Sequence, residues 1–96
     1  MKLPKVISVK ALEKYKILIS FDDEVNGVLD LNHLAGKGVF KRWDEDDNFN
    51  KVFIAEYGAI SWPGELDIDT INAYCTLKGI TPEQFLESRK AYAPNQ

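Results

Sequence analysis

The sequence predicts an α+β fold: a small antiparallel β-sheet, a three-strand meander plus a hairpin, with two C-terminal helices. Three observations lead there. Residues 5–31 hold short apolar and β-branched runs separated by polar breaks, the rhythm of consecutive antiparallel strands. Residues 52–62 repeat that rhythm on either side of Tyr57-Gly58. From Asp69 onward the apolar spacing changes to three- and four-residue steps between capping signals.

The first strand, from Lys5 to Leu12, alternates imperfectly: Val6, Ser8, Lys10 and Leu12 on one face, Lys5, Ile7, Val9 and Ala11 on the other. Glu13-Lys14 is a polar break. Tyr15 to Phe21 is the second strand and the expected sheet centre. Asp22-Asp23-Glu24 is a turn, because short acidic side chains hydrogen-bond their own backbone there. Val25 to Leu31 is a third strand, which Asn26-Gly27 interrupts as a bulge or a longer hairpin loop. His33 to Gly38 reads as one helical turn and a loop, after which Val39 and Phe40 return to the core and Trp43 covers its edge. Val52 to Glu56 and Ala59 to Trp62 are two short strands completing the same sheet, and Pro63-Gly64 stops the second. Asp69 is the expected N-cap of a helix carrying Ile71, Tyr74, Cys75 and Lys78, which Gly79 ends. Thr81 then caps a second helix with Pro82 in its first position and Gln84 completing a capping box. The expected core is Ile17, Ile19, Phe21, Val39, Phe40, Phe49, Ile60 and Trp62.

With 96 residues the chain reads as a single domain, and folding hides roughly 10,000 Å² of unfolded surface. That supports one modest core. No apolar run approaches the ~20 residues of a membrane helix, and Met-Lys-Leu-Pro-Lys lacks a secretory h-region, so a cytoplasmic location is expected. One cysteine excludes an internal disulfide or a multi-cysteine zinc site. The net charge of −3 is uneven: Lys2, Lys5, Lys10, Lys14 and Lys16 oppose only Glu13 in residues 1–16, leaving −7 on the rest. An acidic domain repels phosphate backbones, which argues against nucleic acid as a partner. The lysines suit the solvent face of an edge strand, where they block edge-to-edge aggregation.

Several motifs suggest chemistry and fail on spacing or company. Gly36-Lys37-Gly38 is followed by Val39, so the phosphate-loop pattern is absent. Asp44, Asp46 and Asn48 match EF-hand positions, but Phe49 stands where Gly is required and Ala55 where a bidentate Glu is required. A solvated loop with Asp46 or Asp47 capping a turn into Phe49 accounts for them. Asp67 and Asp69, with Glu65, would make a carboxylate group, yet no nucleophile or oxyanion donor accompanies them; Asp67 reads as a turn former. Cys75 reads as core packing and His33 as a surface or cap residue. Trp43, Tyr57 and Trp62 stand among acidic neighbours, unlike a base-stacking platform.

Val6 and Val9, Phe21-Asp22-Asp23, Val28-Leu29-Asp30-Leu31, Gly38-Val39-Phe40, Phe49 and Val52 form one pattern. Its most specific part is Ile60-Ser61-Trp62-Pro63 followed by Asp67-Ile68-Asp69 and Tyr74. On these residues the chain resembles domain-of-unknown-function family 2442, a group of small bacterial proteins. It departs at Glu24, where the family often has Gly, and at Gly64-Glu65, where the family often has Asn-Gly; both are turn positions. The resemblance implies a family-like core over residues 5–78 and a C-terminal helical extension over residues 79–96. It implies an α+β domain with no established activity. Short members look antitoxin-like and are paired with another small protein.

The resulting expectation is a non-enzymatic protein-binding module, the antitoxin-like or regulatory half of a two-gene pair. It has no catalytic, cofactor or metal site. Its family motif is Trp62, Pro63, Asp67 and Asp69. Its candidate interface is Phe85, Leu86, Arg89 and Tyr92 on the last helix, where aromatic and Arg side chains would anchor another small protein or a symmetric homodimer. The alternatives are a DNA-binding regulator using the C-terminal helices and a small hydrolase using Asp67 and Asp69.

Overall fold

The structure, a computed structural model, describes residues 3–91, with side chains through Glu87. Strands β1 (Val6–Ala11), β2 (Lys16–Phe21) and β3 (Asn26–Asp30) form an antiparallel meander in that order. Ile17, Ile19 and Phe21 of β2 point inward and are essentially without solvent contact. Pairing sets Ala11 and Leu29 opposite Ile17, and Val9 and Gly27 opposite Ile19. The irregular alternation of β1 is resolved by a bulge between Val6 and Ser8. Val6 and Val9 are an odd number of residues apart, so a regular strand would put them on opposite faces. The extra residue, Ile7, lets both face the core and is itself left 62% exposed. The bulge therefore lies in β1, and Asn26-Gly27 pairs regularly. Gly27 is small for another reason: a Cβ there would meet the Leu77 side chain at 3.2 Å.

Residues 52–62 do not extend this sheet. β4 (Phe53–Ile54), β5 (Ile60–Trp62) and a further strand, β6 (Leu66–Ile68), form a second antiparallel sheet in the order β4-β5-β6. Pro63-Gly64 thus ends β5 but opens a hairpin, and Asp67 lies in a strand opposite Ser61 rather than forming a turn. β1 runs beside β4, and an aromatic cluster of Tyr15, Trp62 and two rings from the connecting segment fills the inter-sheet space. Trp43 centres it, with ring centroids 5.0 Å from both Phe49 and Trp62 and 6.0 Å from Tyr15. Four large rings between two short, twisted sheets leave β4 paired with β5 alone.

Trp43 and Phe49 come from two 3-10 helices, Gly38–Asp44 and Asn48–Lys51. With three residues per turn, Phe40 and Trp43 share a face and Val39 falls to one side. Val39 is accordingly 63% exposed, which overturns its place in the expected core. Phe40 is half-buried, 4.8 Å from Trp43, so Trp43 is the core residue and Phe40 its edge. Asp47 precedes the second 3-10 helix without capping it: its carboxylate accepts from the Asn50 side chain at 2.6 Å.

Helix α1 (Thr70–Lys78) is capped as expected. Asp69 Oδ1 accepts from the amides of Ile71 and Asn72, and Gly79 closes the helix in the left-handed conformation with φ 73°. α1 lies against β3 and brings Ala73, Tyr74 and Cys75 to the core. Helix α2 (Pro82–Ala91) begins with a reciprocal capping box, Thr81 N–H to Gln84 Oε1 at 2.8 Å and Gln84 N–H to Thr81 Oγ1 at 3.0 Å. Phe85 is buried edge-on against Tyr74, with centroids 5.7 Å apart.

Candidate functional site

Alternation along the second sheet sorts its side chains by face. Ile54, Ile60, Trp62, Leu66 and Ile68 turn toward the aromatic cluster. The outer face carries the row Phe53, Ser61, Asp67, directly opposite one another across three strands. The strands lie ~4.8 Å apart, so Phe53 and Asp67 stand on the order of 10 Å from each other with a small residue between them. The result is a hollow of about 330 Å³ with Ser61 as its floor. Phe53 and Asp67 stand on opposite sides of Ser61, and Tyr57 and Glu65 also line the hollow. Phe53 is 44% and Tyr57 76% exposed. The Tyr57 hydroxyl donates to Asp67 Oδ2 at 3.2 Å.

Local backbone holds this shape. Gly58 turns the β4–β5 hairpin at φ 90°, and Gly64 and Glu65 turn the β5–β6 hairpin at φ 93° and 64°. Two consecutive positive angles are the requirement of a tight hairpin turn, and Asn-Gly is its usual solution. Glu65 adopts a conformation that costs an ordinary residue about 1–2 kcal/mol. Glu24, the other departure from the family pattern, has φ 73° at the β2–β3 turn. Both turns thus keep the shape that glycine would adopt freely.

The four motif residues take different roles. Trp62 is core, its indole N–H donating to the Phe49 carbonyl at 3.0 Å. The Pro63 carbonyl accepts from the Asn48 side chain at 3.0 Å, tying the β5–β6 turn to the second 3-10 helix. Asp67 lines the hollow. Asp69 is committed to helix capping, and it borders a separate small cavity of about 100 Å³ with His33 and Asn72. Asp67 and Asp69 therefore do not converge on one site. Of the candidate interface residues, Phe85 is buried and Leu86 is 53% exposed. The Arg89 side chain and Tyr92 lie outside the described residues.

The outer face of the first sheet is the other open surface. Leu18 and Val28, directly opposite on β2 and β3, are 40% and 51% exposed, with Ile7 standing out of the core on β1. Lys10 is opposite Leu18 on the other side, and Lys16 pairs with Asp30. Hydrogen bonds from the Asn32 backbone and side-chain amides hold the Asp30 carboxyl below its ordinary range.

Elsewhere the titratable groups serve structure. Tyr74 donates to Asp23 Oδ2 at 2.5 Å, and that bond, with burial, pushes the phenol up to about 12. Burial, and then the Asp69 charge, raise the Cys75 thiol. Tyr15 donates to Asp44, which raises the Tyr15 phenol. Among the described residues no group of three or more His, Cys, Asp or Glu is placed to hold a metal ion. No described helix is long and apolar enough to cross a membrane. Sequence reading missed the hollow because the motif holding Ser61 says nothing of its strand partners, and the feature arises only when β6 pairs with β5.

A family model described as "Protein of unknown function (DUF2442)" matches residues 6–75. No curated protein and no solved structure matches the chain.

Proposed function

We propose that the chain, which belongs to the DUF2442 family, is a non-catalytic protein-binding module whose docking face is the outer side of the β1–β3 sheet. The observation that carries this reading is the uncovered row Leu18–Val28, with Ile7 beside it, on a face that no described element packs against. An apolar strip of this kind, edged by Lys10 and Lys16, suits a partner whose own apolar strip is bordered by carboxylates. The partner is another small protein, the product of a neighbouring gene, with this chain as the antitoxin-like or regulatory half. The setting is cytoplasmic, in keeping with a chain whose one cysteine is a free thiol.

The rival readings have less support. Hydrolysis by Asp67 and Asp69 needs both carboxylates at one place, and Asp69 is occupied by two helix amides. Self-association through α2 would use Phe85, which is packed on Tyr74 and leaves Leu86 as the exposed apolar group. DNA binding by the helices is opposed by Glu83 and Glu87 on α2 and Asp69 at the start of α1, which offset Lys78, Arg89 and Lys90 and leave no net positive charge.

The test is calorimetric titration of the chain with the purified product of the adjacent gene. Binding is expected, and Leu18→Glu or Val28→Glu should weaken it by at least about tenfold. Absence of binding, or binding indifferent to both substitutions, would overturn the reading. A gel shift on the chain's own upstream DNA that weakens steeply with salt would replace it with the regulator.

A further inference from the structure

We propose that the hollow on the outer face of the β4–β6 sheet is a binding site for an arginine side chain presented by another polypeptide. This goes beyond the protein-binding reading, which rests on the other sheet. The geometry starts from the row Phe53, Ser61, Asp67: a small residue between a ring and a carboxylate makes a slot rather than a flat sheet face. A guanidinium is flat, stacks on an aromatic face with one side and forks a carboxylate with its edge. Phe53 supplies an aromatic wall across Ser61 from Asp67, and Tyr57, hydrogen-bonded to Asp67, supplies a second exposed ring. Asp67 and Glu65 supply the anionic side. The Tyr57 hydroxyl occupies Asp67 Oδ2 and leaves Oδ1 for an incoming N–H donor.

Charge favours this occupant. Residues 17–96 carry the chain's whole negative excess. The chain's own Arg42 lies with its side chain over Gly64 at the end of the hollow and is not among its lining groups. A guanidinium thus already rests against the β5–β6 turn while the slot beside it stays open. A lysine ammonium would find the carboxylates but not the flat stacking surface. An apolar side chain would desolvate Asp67 without pairing it.

The probes are three capped single amino acids, N-acetyl N-methylamides of arginine, lysine and norleucine, titrated into the intact chain. The readout is backbone amide shifts of Phe53, Ser61 and Asp67. Arginine should shift these amides saturably at low-millimolar concentration, more strongly than lysine, while norleucine leaves them in place. Asp67→Asn and Tyr57→Ala should each weaken arginine binding by about fivefold, and Tyr57→Phe should preserve it. Both residues are exposed, so neither change threatens the fold. Three outcomes would overturn the proposal: no saturable shift up to tens of millimolar, about what such weak sites need; equal response to norleucine; or undiminished binding by Asp67→Asn. Shifts at these amides that depend on protein concentration before any probe is added would also overturn it, by assigning the face to a second copy of the chain.

Discussion

Replacing Tyr74 with Phe removes one hydroxyl and keeps a ring of the same shape, wedged edge-on between Phe21 at 5.0 Å and Phe85 at 5.7 Å. What disappears is the 2.5 Å hydrogen bond to Asp23, which ties α1 to the β2–β3 turn. A hydrogen bond to a charged acceptor contributes about 1.5–3 kcal/mol, and Asp23 can be rehydrated because it is exposed, so Tyr74→Phe should cost about 1–2 kcal/mol near neutrality. The same bond gives a pH signature. The phenol is raised from 10.0 to about 12 in the folded chain, so the unfolded chain releases its proton first. Between about pH 10 and 12 the unfolded state therefore holds fewer protons than the native state, and stability falls as pH rises. A rise of about two pKa units corresponds to about 3 kcal/mol lost across that window and fully retained below it. Urea unfolding of both proteins at a series of pH values isolates the effect, since every other titrating group is common to the two. The wild-type advantage should be constant between about pH 6 and 9 and shrink steadily above about pH 10 until Tyr74→Phe is the more stable protein. An advantage that is zero at neutrality, or that persists unchanged through the alkaline range, would refute the reasoning.

Three further outcomes follow from the same structure. Glu24→Gly and Glu65→Gly should each raise the unfolding free energy by about 0.5–1 kcal/mol in thermal or urea melts, because φ of 73° and 64° suits glycine and strains glutamate. Phe40→Ala should cost about 1–3 kcal/mol, less than for a fully buried phenylalanine, whereas Val39→Ala should change the melt by under about 0.5 kcal/mol. The Cys75 thiol, buried and raised by that burial, should react with a thiol reagent only through opening of the fold, so its labelling rate should follow added denaturant; rapid labelling of the native protein would contradict its place in the core.

Local signals in this chain were legible wherever one residue's chemistry decides the backbone. Asp69, Gly79, Thr81, Pro82 and Gln84 mark the helix ends, and each does so through a hydrogen bond, a positive φ or a fixed ring within a few residues. The β2 core residues were legible because Ile17, Ile19 and Phe21 recur at period two within a β-branched, apolar run, although Leu18 between them is apolar too. The errors fell where spacing depends on something distant. The faces of β1 could not be assigned from alternation alone, since the bulge at Ile7 exists only because Val6 and Val9 both gain by facing Phe21 and Ile19. Trp43 and Phe40 exchanged expected roles, and Val39 fell outside the core, because a 3-10 helix turns in three residues and nothing local announces that geometry.

Pattern and capping chemistry along the chain were enough to establish an α+β protein with a three-strand meander, a following hairpin and two capped helices, because those elements rest on contacts among near neighbours. Membership of the family was likewise legible in Ile60-Ser61-Trp62-Pro63 and Asp67-Ile68-Asp69. The division into two sheets was decided in three dimensions, where the rings of Tyr15, Trp43, Phe49 and Trp62 meet between them. So was the hollow around Ser61: Phe53 and Asp67, fourteen positions apart in the sequence, become walls of one slot only because both pair with the same residue.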